Sequence, residues 1–202
     1  MRQNKMIVLF AVFLLMTFTG CSSTKVTRVD VDKRIDLSGF WNDYDASLVS
    51  KEMIKDCLAK PWLNSFVQGK KRDPVVIVGH VKNRSDEHIN AHVFTDYLER
   101  ELTNSGKIVF VASPDEREHL REEREDQQTG YTSEESMKKI GKERGADFML
   151  MGSMNSVRDE LKGKSVVLYQ VNLELIDLET NEKVWLGQKE IKKFTEKSKF
   201  SL

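Results

Sequence analysis

The chain has 202 residues, with 32 Lys+Arg against 32 Asp+Glu, 11 Gly, 3 Pro and 2 Cys. That length supports one domain with a real core, and the balanced charge excludes the basic electrostatic footprint of a nucleic-acid binder. Two cysteines exclude a disulfide-stapled scaffold.

Residues 1–20 read MRQNKMIVLFAVFLLMTFTG. Arg2 and Lys5 precede an apolar run, Met6–Met16, and Phe18-Thr19-Gly20 lead into Cys21-Ser22-Ser23. A positive start, a short apolar core and small residues at the cut describe a secretory signal. The apolar core is too short for a transmembrane helix, which wants about 20 apolar residues. Cleavage there removes Arg2 and Lys5 and no acid, leaving 30 basic against 32 acidic side chains. The cysteine at the cut has the pattern of a bacterial lipobox, with Phe18 where Leu is usual. Cys21 is therefore the expected lipidation site. Once Cys21 carries lipid, Cys57 has no partner for an intrachain disulfide. Its place in a helical pattern with Ile54 and Leu58 predicts a buried, inert thiol.

Residues 22–39 are polar and read as a flexible tether. Val29, Val31 and Ile35 are candidates for a loose strand. The globular domain is expected over 40–202, starting at Phe40-Trp41. Asn42 or Asp43 caps a helix over about 44–60 with Leu48, Met53, Ile54, Cys57 and Leu58 as its apolar set, and Pro61 ends it. Val75–Val78 reads as a buried central strand, with Gly79 a close-approach position and Asn83-Arg84-Ser85 the following loop. A helix over about 88–104 has the stripe Ile89, Val93, Tyr97 or Leu98, and Leu102, with Gly106 left-handed past its end.

Ile108–Val111 reads as a second buried strand. Ser113-Pro114-Asp115-Glu116 is a helix start, and the charged stretch after it is a solvated helix with Leu120 as its internal apolar residue. Thr132 and Glu135 form a capping-box pattern that opens a short helix over Met137 and Ile140, ending at Gly145. The last third holds three strands, Phe148–Met154, Val166–Leu178 and Lys183–Phe194. In the middle one Val167, Tyr169, Val171, Leu173 and Leu175 alternate with more polar positions, so one face is covered. Short connections make these strands antiparallel neighbours. The expected class is α+β: a central mixed sheet with C-terminal antiparallel strands and helices packed on it.

Catalytic signatures are few. There is no G-x-S-x-G, Walker A or H-E-x-x-H. His88 and His92 lie one helical turn apart without a third convergent ligand, so neither a metal nor another cofactor is expected. Asp43 and Asp45 are explained by helix capping and the helix dipole. Recognition is better represented. Trp41 and Tyr44 stand where tether meets domain, Asn83 and Arg84 follow the first strand, and Tyr131 lies in a Gly-containing connection. Aromatics and Arg carry most interface hot spots. For Trp41 the competing role is closing the core edge. For Asn83 and Arg84 it is shaping the loop.

Four ordered stretches carry a resemblance: FWNDYDASLVSKEMI at 40–54, VIVGHVKNRSDEHIN at 76–90, GADFMLMGSM at 145–154 and YQVNLELIDLETNEKVWLGQKEIKK at 169–193. With the lipobox, they make the chain resemble the LpoB-like outer-membrane lipoproteins, which activate bifunctional, class A penicillin-binding proteins. The resemblance implies a domain similar to the N-terminal domain of TolB. It also implies a monomeric adaptor rather than an enzyme, anchored by lipid in the outer membrane and facing the periplasm. Such an adaptor binds a regulatory domain of the synthase and raises peptidoglycan synthesis. Ser22 fits outer-membrane sorting. The segment 22–39 departs from the long proline-rich tether of enterobacterial members. A lipoprotein component of an envelope assembly or secretion complex, curli-secretion-like, is the alternative. It calls for barrel-forming strands for which the sequence has no spare segment.

Overall fold

A computed structural model describes residues 26–30 and 33–197. The signal segment, Cys21 and Val31 lie outside the described residues. Residues 26–30 are exposed and carry no regular structure, and neither Val29 nor Ile35 lies in a strand. A compact unit begins at Arg34.

Helix α1 (Asp43–Leu58) starts at Asn42, whose side chain accepts from the Asp45 backbone N–H, while the Asp45 carboxylate accepts from the Asn42 backbone N–H. Pro61 does end the α1 register, but it also opens a second helix, α2 (Pro61–Lys70), which the sequence reading lacked. At the first position of a helix proline forfeits no hydrogen bond, so one residue serves both purposes. Trp62 and Leu63 of α2 are buried, and the Trp62 indole N–H donates to the Cys57 carbonyl at 2.8 Å.

Strand β1 (Val75–Arg84) is longer than expected and takes in Asn83 and Arg84. Its register against the third strand slips between Val78 and Val81. This bulge inverts the inward–outward alternation, so Val76, Val78 and Val81 all reach the core cluster. A side chain at Gly79 would press on the Met149 sulfur, at 2.9 Å, which fits its reading as a close-approach position.

Helix α3 (Ala91–Asn104) buries Phe94, Leu98 and Leu102. Leu98 and Leu102 are the expected stripe positions, but Phe94 takes the place expected of Val93, which points outward at 44% exposure. Gly106 takes a positive φ of 64°, as expected. Strand β2 (Val109–Phe110) is a two-residue edge rather than a buried strand. Helix α4 (Pro114–Asp126) has the Ser113–Glu116 capping box and no buried residue, the solvated helix that was expected. No helix forms over 132–145. Ile140 is 65% exposed, so that segment has no apolar face to offset the cost of nucleating a helix. Its serines close a local turn instead, with the Met137 N–H donating to the Ser133 carbonyl at 3.0 Å.

Strands β3 (Phe148–Leu161), β4 (Lys164–Asp177) and β5 (Lys183–Glu196) form an antiparallel meander. The β3–β4 connection is a two-residue turn in which Lys162 and Gly163 both have positive φ, 47° and 80°. The sheet order is β2-β1-β3-β4-β5, with β1 parallel to β2 and β3. It is a mixed sheet in an α+β fold, as read from the sequence. Val167, Tyr169, Val171, Leu173 and Leu175 are all buried. They face α1 and α3, which pack on one side of the sheet.

Candidate functional site

A hollow of about 800 Å³ lies where the segment before α1 meets the loop before α3. Its apolar surface comes from Phe40, Trp41, Ile89, Val93 and Phe94, and its polar positions include Asp43, Asp86, Glu87, Arg158 and Glu160. Trp41 is half-buried. Its ring meets Phe94 edge-on with centroids 6.3 Å apart and Tyr169 at 5.6 Å. Trp41 therefore closes the core edge and also lines the groove.

Glu87 ties the walls together. One carboxylate oxygen accepts from the Trp41 backbone N–H at 3.1 Å. The other accepts from Arg158 at 2.8 Å and from the Tyr169 hydroxyl. Burial, and then the Glu87 carboxylate, push the Tyr169 hydroxyl pKa well above its usual value. Arg158 also pairs with Glu160 at 3.2 Å, and its guanidinium lies over the Phe40 ring at 5.2 Å. With Arg158 shared between two carboxylates, the groove's charge is set by Asp43, Asp86 and the excess carboxylate, and is acidic.

Beneath the segment before α1 lies a second polar cluster. Lys193 is 6% exposed and pairs with Asp45 at 2.5 Å and Asp36 at 2.7 Å. It also donates to the Phe40 carbonyl at 2.8 Å. These contacts bind residues expected as the end of a tether to the last strand. Hydrogen bonds from Lys193 and Arg34 lower the Asp36 carboxyl pKa to about 2.

The other sequence candidates scatter. Asn83 faces the helix side of the sheet, where its amide donates to the Glu87 carbonyl at 2.8 Å and its oxygen accepts from the Ser85 N–H at 2.9 Å. It shapes the groove's loop. Arg84, one residue on, points to the opposite face of the sheet and lines a hollow there with Lys82 and Met151. Tyr44 is half-buried on the first turn of α1, outside the groove lining. Tyr131 is 94% exposed and does not line the groove. Phe40, Glu87, Val93 and Arg158 were not among the site residues expected from the sequence. Only Phe40, adjacent to Trp41 at the domain's start, carried a signal that singled it out.

Cys57 is buried, and desolvation raises its thiol pKa to about 12. Among the described residues no group of three or more His, Cys, Asp or Glu is placed to hold a metal ion. Nor is any helix there long and apolar enough to cross a membrane.

Comparison with known proteins gives one family. The model described as peptidoglycan-synthase activator LpoB matches residues 45–191. No curated protein matches. The LpoB C-terminal domain from Escherichia coli is 20% identical over 73% of this chain and 98% of its own, with a TM-score of 0.42. The NMR structure of E. coli LpoB is 15% identical over 90% of this chain and 85% of its own, with a TM-score of 0.39. Lipoprotein GNA1162 from Neisseria meningitidis is 12% identical over 63% of this chain and 87% of its own, with a TM-score of 0.38.

Proposed function

Because the chain belongs to the LpoB family of peptidoglycan-synthase activators, we propose that it binds the regulatory domain of a class A penicillin-binding protein and raises its activity. In this reading it is a monomeric outer-membrane lipoprotein, held by acylated Cys21 and facing the periplasm. The observation that carries the reading is the family match, which extends from the first turn of α1 into β5.

Activation has a thermodynamic requirement. The adaptor must bind the active conformation of the synthase more tightly than the inactive one, since equal affinity for both shifts nothing. It supplies binding energy and no chemistry of its own. The groove at Trp41 is the contact surface this reading favours. It offers an aromatic and aliphatic floor within an acidic rim. That combination suits a partner element presenting an apolar side chain beside a lysine or arginine.

The test is a pull-down from detergent-solubilised envelope with the mature chain, read by mass spectrometry. Enrichment of a class A penicillin-binding protein supports the proposal. Enrichment of an envelope assembly or secretion complex with no synthase overturns it.

A further inference from the structure

The sheet face turned away from α1 and α3 changes character along its length. Its middle is polar, with Ser153, Asn155, Gln170 and Asn172 on β3 and β4. Its far end, at the β3–β4 turn, is apolar. There Val157 pairs with Leu168, and Val166 pairs with Phe194. Val157, Leu161 and Phe194 are 68%, 71% and 61% exposed. Lys162 forms the turn, and Lys192 and Lys197 flank the patch, all exposed. Of the acids at this end, Glu196 is paired to Lys164 at 3.1 Å and Glu160 to Arg158 at 3.2 Å, which leaves Asp159 against the three lysines.

The chain joins the domain at this same end. Asp36 and the Phe40 carbonyl are both held by Lys193, which sits between Lys192 and Phe194. A side chain added at Gly39 would collide with the Thr195 hydroxyl. Only residues 22–33 then separate Cys21 from the domain, a reach of roughly 40 Å when fully extended. A lipid on Cys21 keeps this end of the domain within about 40 Å of the anchor. Tethering at that range raises the local concentration of the surface enough for a weak contact to form.

We infer that the β3–β4 hairpin end is a lipid-facing surface, on which Leu161 and Phe194 enter the headgroup layer while Lys162, Lys192 and Lys197 meet anionic phospholipid. Protruding apolar side chains ringed by lysines fit an interface whose apolar layer lies beneath a negative surface. The inference rests on the lipid anchor proposed above. Mass spectrometry of the mature N-terminus tests that anchor separately.

The experiment uses the mature chain carrying Cys21→Ala, which has no acyl group, in flotation with phosphatidylethanolamine–phosphatidylglycerol vesicles. It is expected to float at low salt, to be released by high salt and to ignore phosphatidylcholine vesicles. Adding Leu161→Asp and Phe194→Asp should lower the bound fraction about tenfold. Lys162→Glu with Lys192→Glu, which touches no apolar contact, should lower it as well, so a folding defect in the first pair does not decide the outcome. Failure of the Cys21→Ala chain to float, or flotation of both variant pairs equal to that of the Cys21→Ala chain, overturns the inference. So does a self-association of the Cys21→Ala chain that the aspartate pair abolishes, which would make the patch a contact between copies.

Discussion

The Tyr169 hydroxyl donates to the Glu87 carboxylate across 82 positions of sequence, joining the middle of the sheet to the loop before α3. The same carboxylate holds Arg158 and the Trp41 backbone, so one acid fixes two walls of the groove. Tyr169→Phe removes one bond and leaves the ring packing intact. A loss of about 1–2 kcal/mol is expected in urea unfolding. Combined with Glu87→Gln, the loss should be less than the sum of the two, because both act on one contact. Strict additivity would show that the contact carries no coupling.

Lys193 and Asp45 form a pair that is almost fully enclosed, at 6% and 4% exposure. Lys193→Met strands the Asp45 carboxylate and should cost about 3–5 kcal/mol. Adding Asp45→Asn removes the stranded charge and should restore part of that stability. Chemical denaturation of the two variants checks the order.

Burial raises the Cys57 thiol pKa to about 12, so the thiol is neutral at neutral pH. The folded chain should resist iodoacetamide and become reactive in urea. Cys57→Ser places a hydroxyl in that apolar site and should cost about 1–3 kcal/mol, with synthase binding unchanged once the variant is folded. Loss of binding without loss of stability would assign the thiol a functional role.

Asp147 accepts from Arg72 Nη1 and Nη2, each at 2.7 Å, and from the Val75 N–H at 2.7 Å. The Arg72 bonds lead in holding its pKa below the ordinary carboxylate value. An unfolded aspartate titrates near pH 3.9. The stability from this site is therefore complete above that pH and is lost as pH falls through the lower folded value. Asp147→Asn should differ most from wild type in melting temperature at neutral pH. The gap should close as pH falls below the ordinary carboxylate value. A gap constant over that range would contradict the assignment.

Val93 is exposed within the groove, so Val93→Asp tests binding without opening the core. Asp43→Lys reverses charge on the rim. Each should weaken affinity for the synthase by about tenfold or more if the groove is the contact. Circular dichroism of the free chain should not change. Unaltered affinity in both moves the contact elsewhere on the domain.

Much of the fold was legible. The period-2 pattern of β4, the Ser113 cap and the helical placement of Cys57 are local signals, and the structure obeys them. Features set by long-range packing were not legible. The bulge in β1 depends on its register with β3, so Val81 turning inward and Arg84 outward had no local sign. Val93 and Phe94 are adjacent apolar residues, and only the docking of α3 decides which is buried. The two lysines Lys192 and Lys193 read alike in sequence, yet strand alternation sends one outward and one to Asp45. The groove shows the same division. Trp41 stood out by type and position. Glu87 and Arg158 come from charged stretches and gain their roles only when loop and strand meet.

The most direct test of the activator reading is the rate of glycan polymerisation by a purified class A penicillin-binding protein, with and without the mature chain. The account predicts a faster rate with the wild-type chain and a smaller gain with Val93→Asp. An unchanged rate at saturating concentrations of the chain, across the class A synthases of its own envelope, would contradict it.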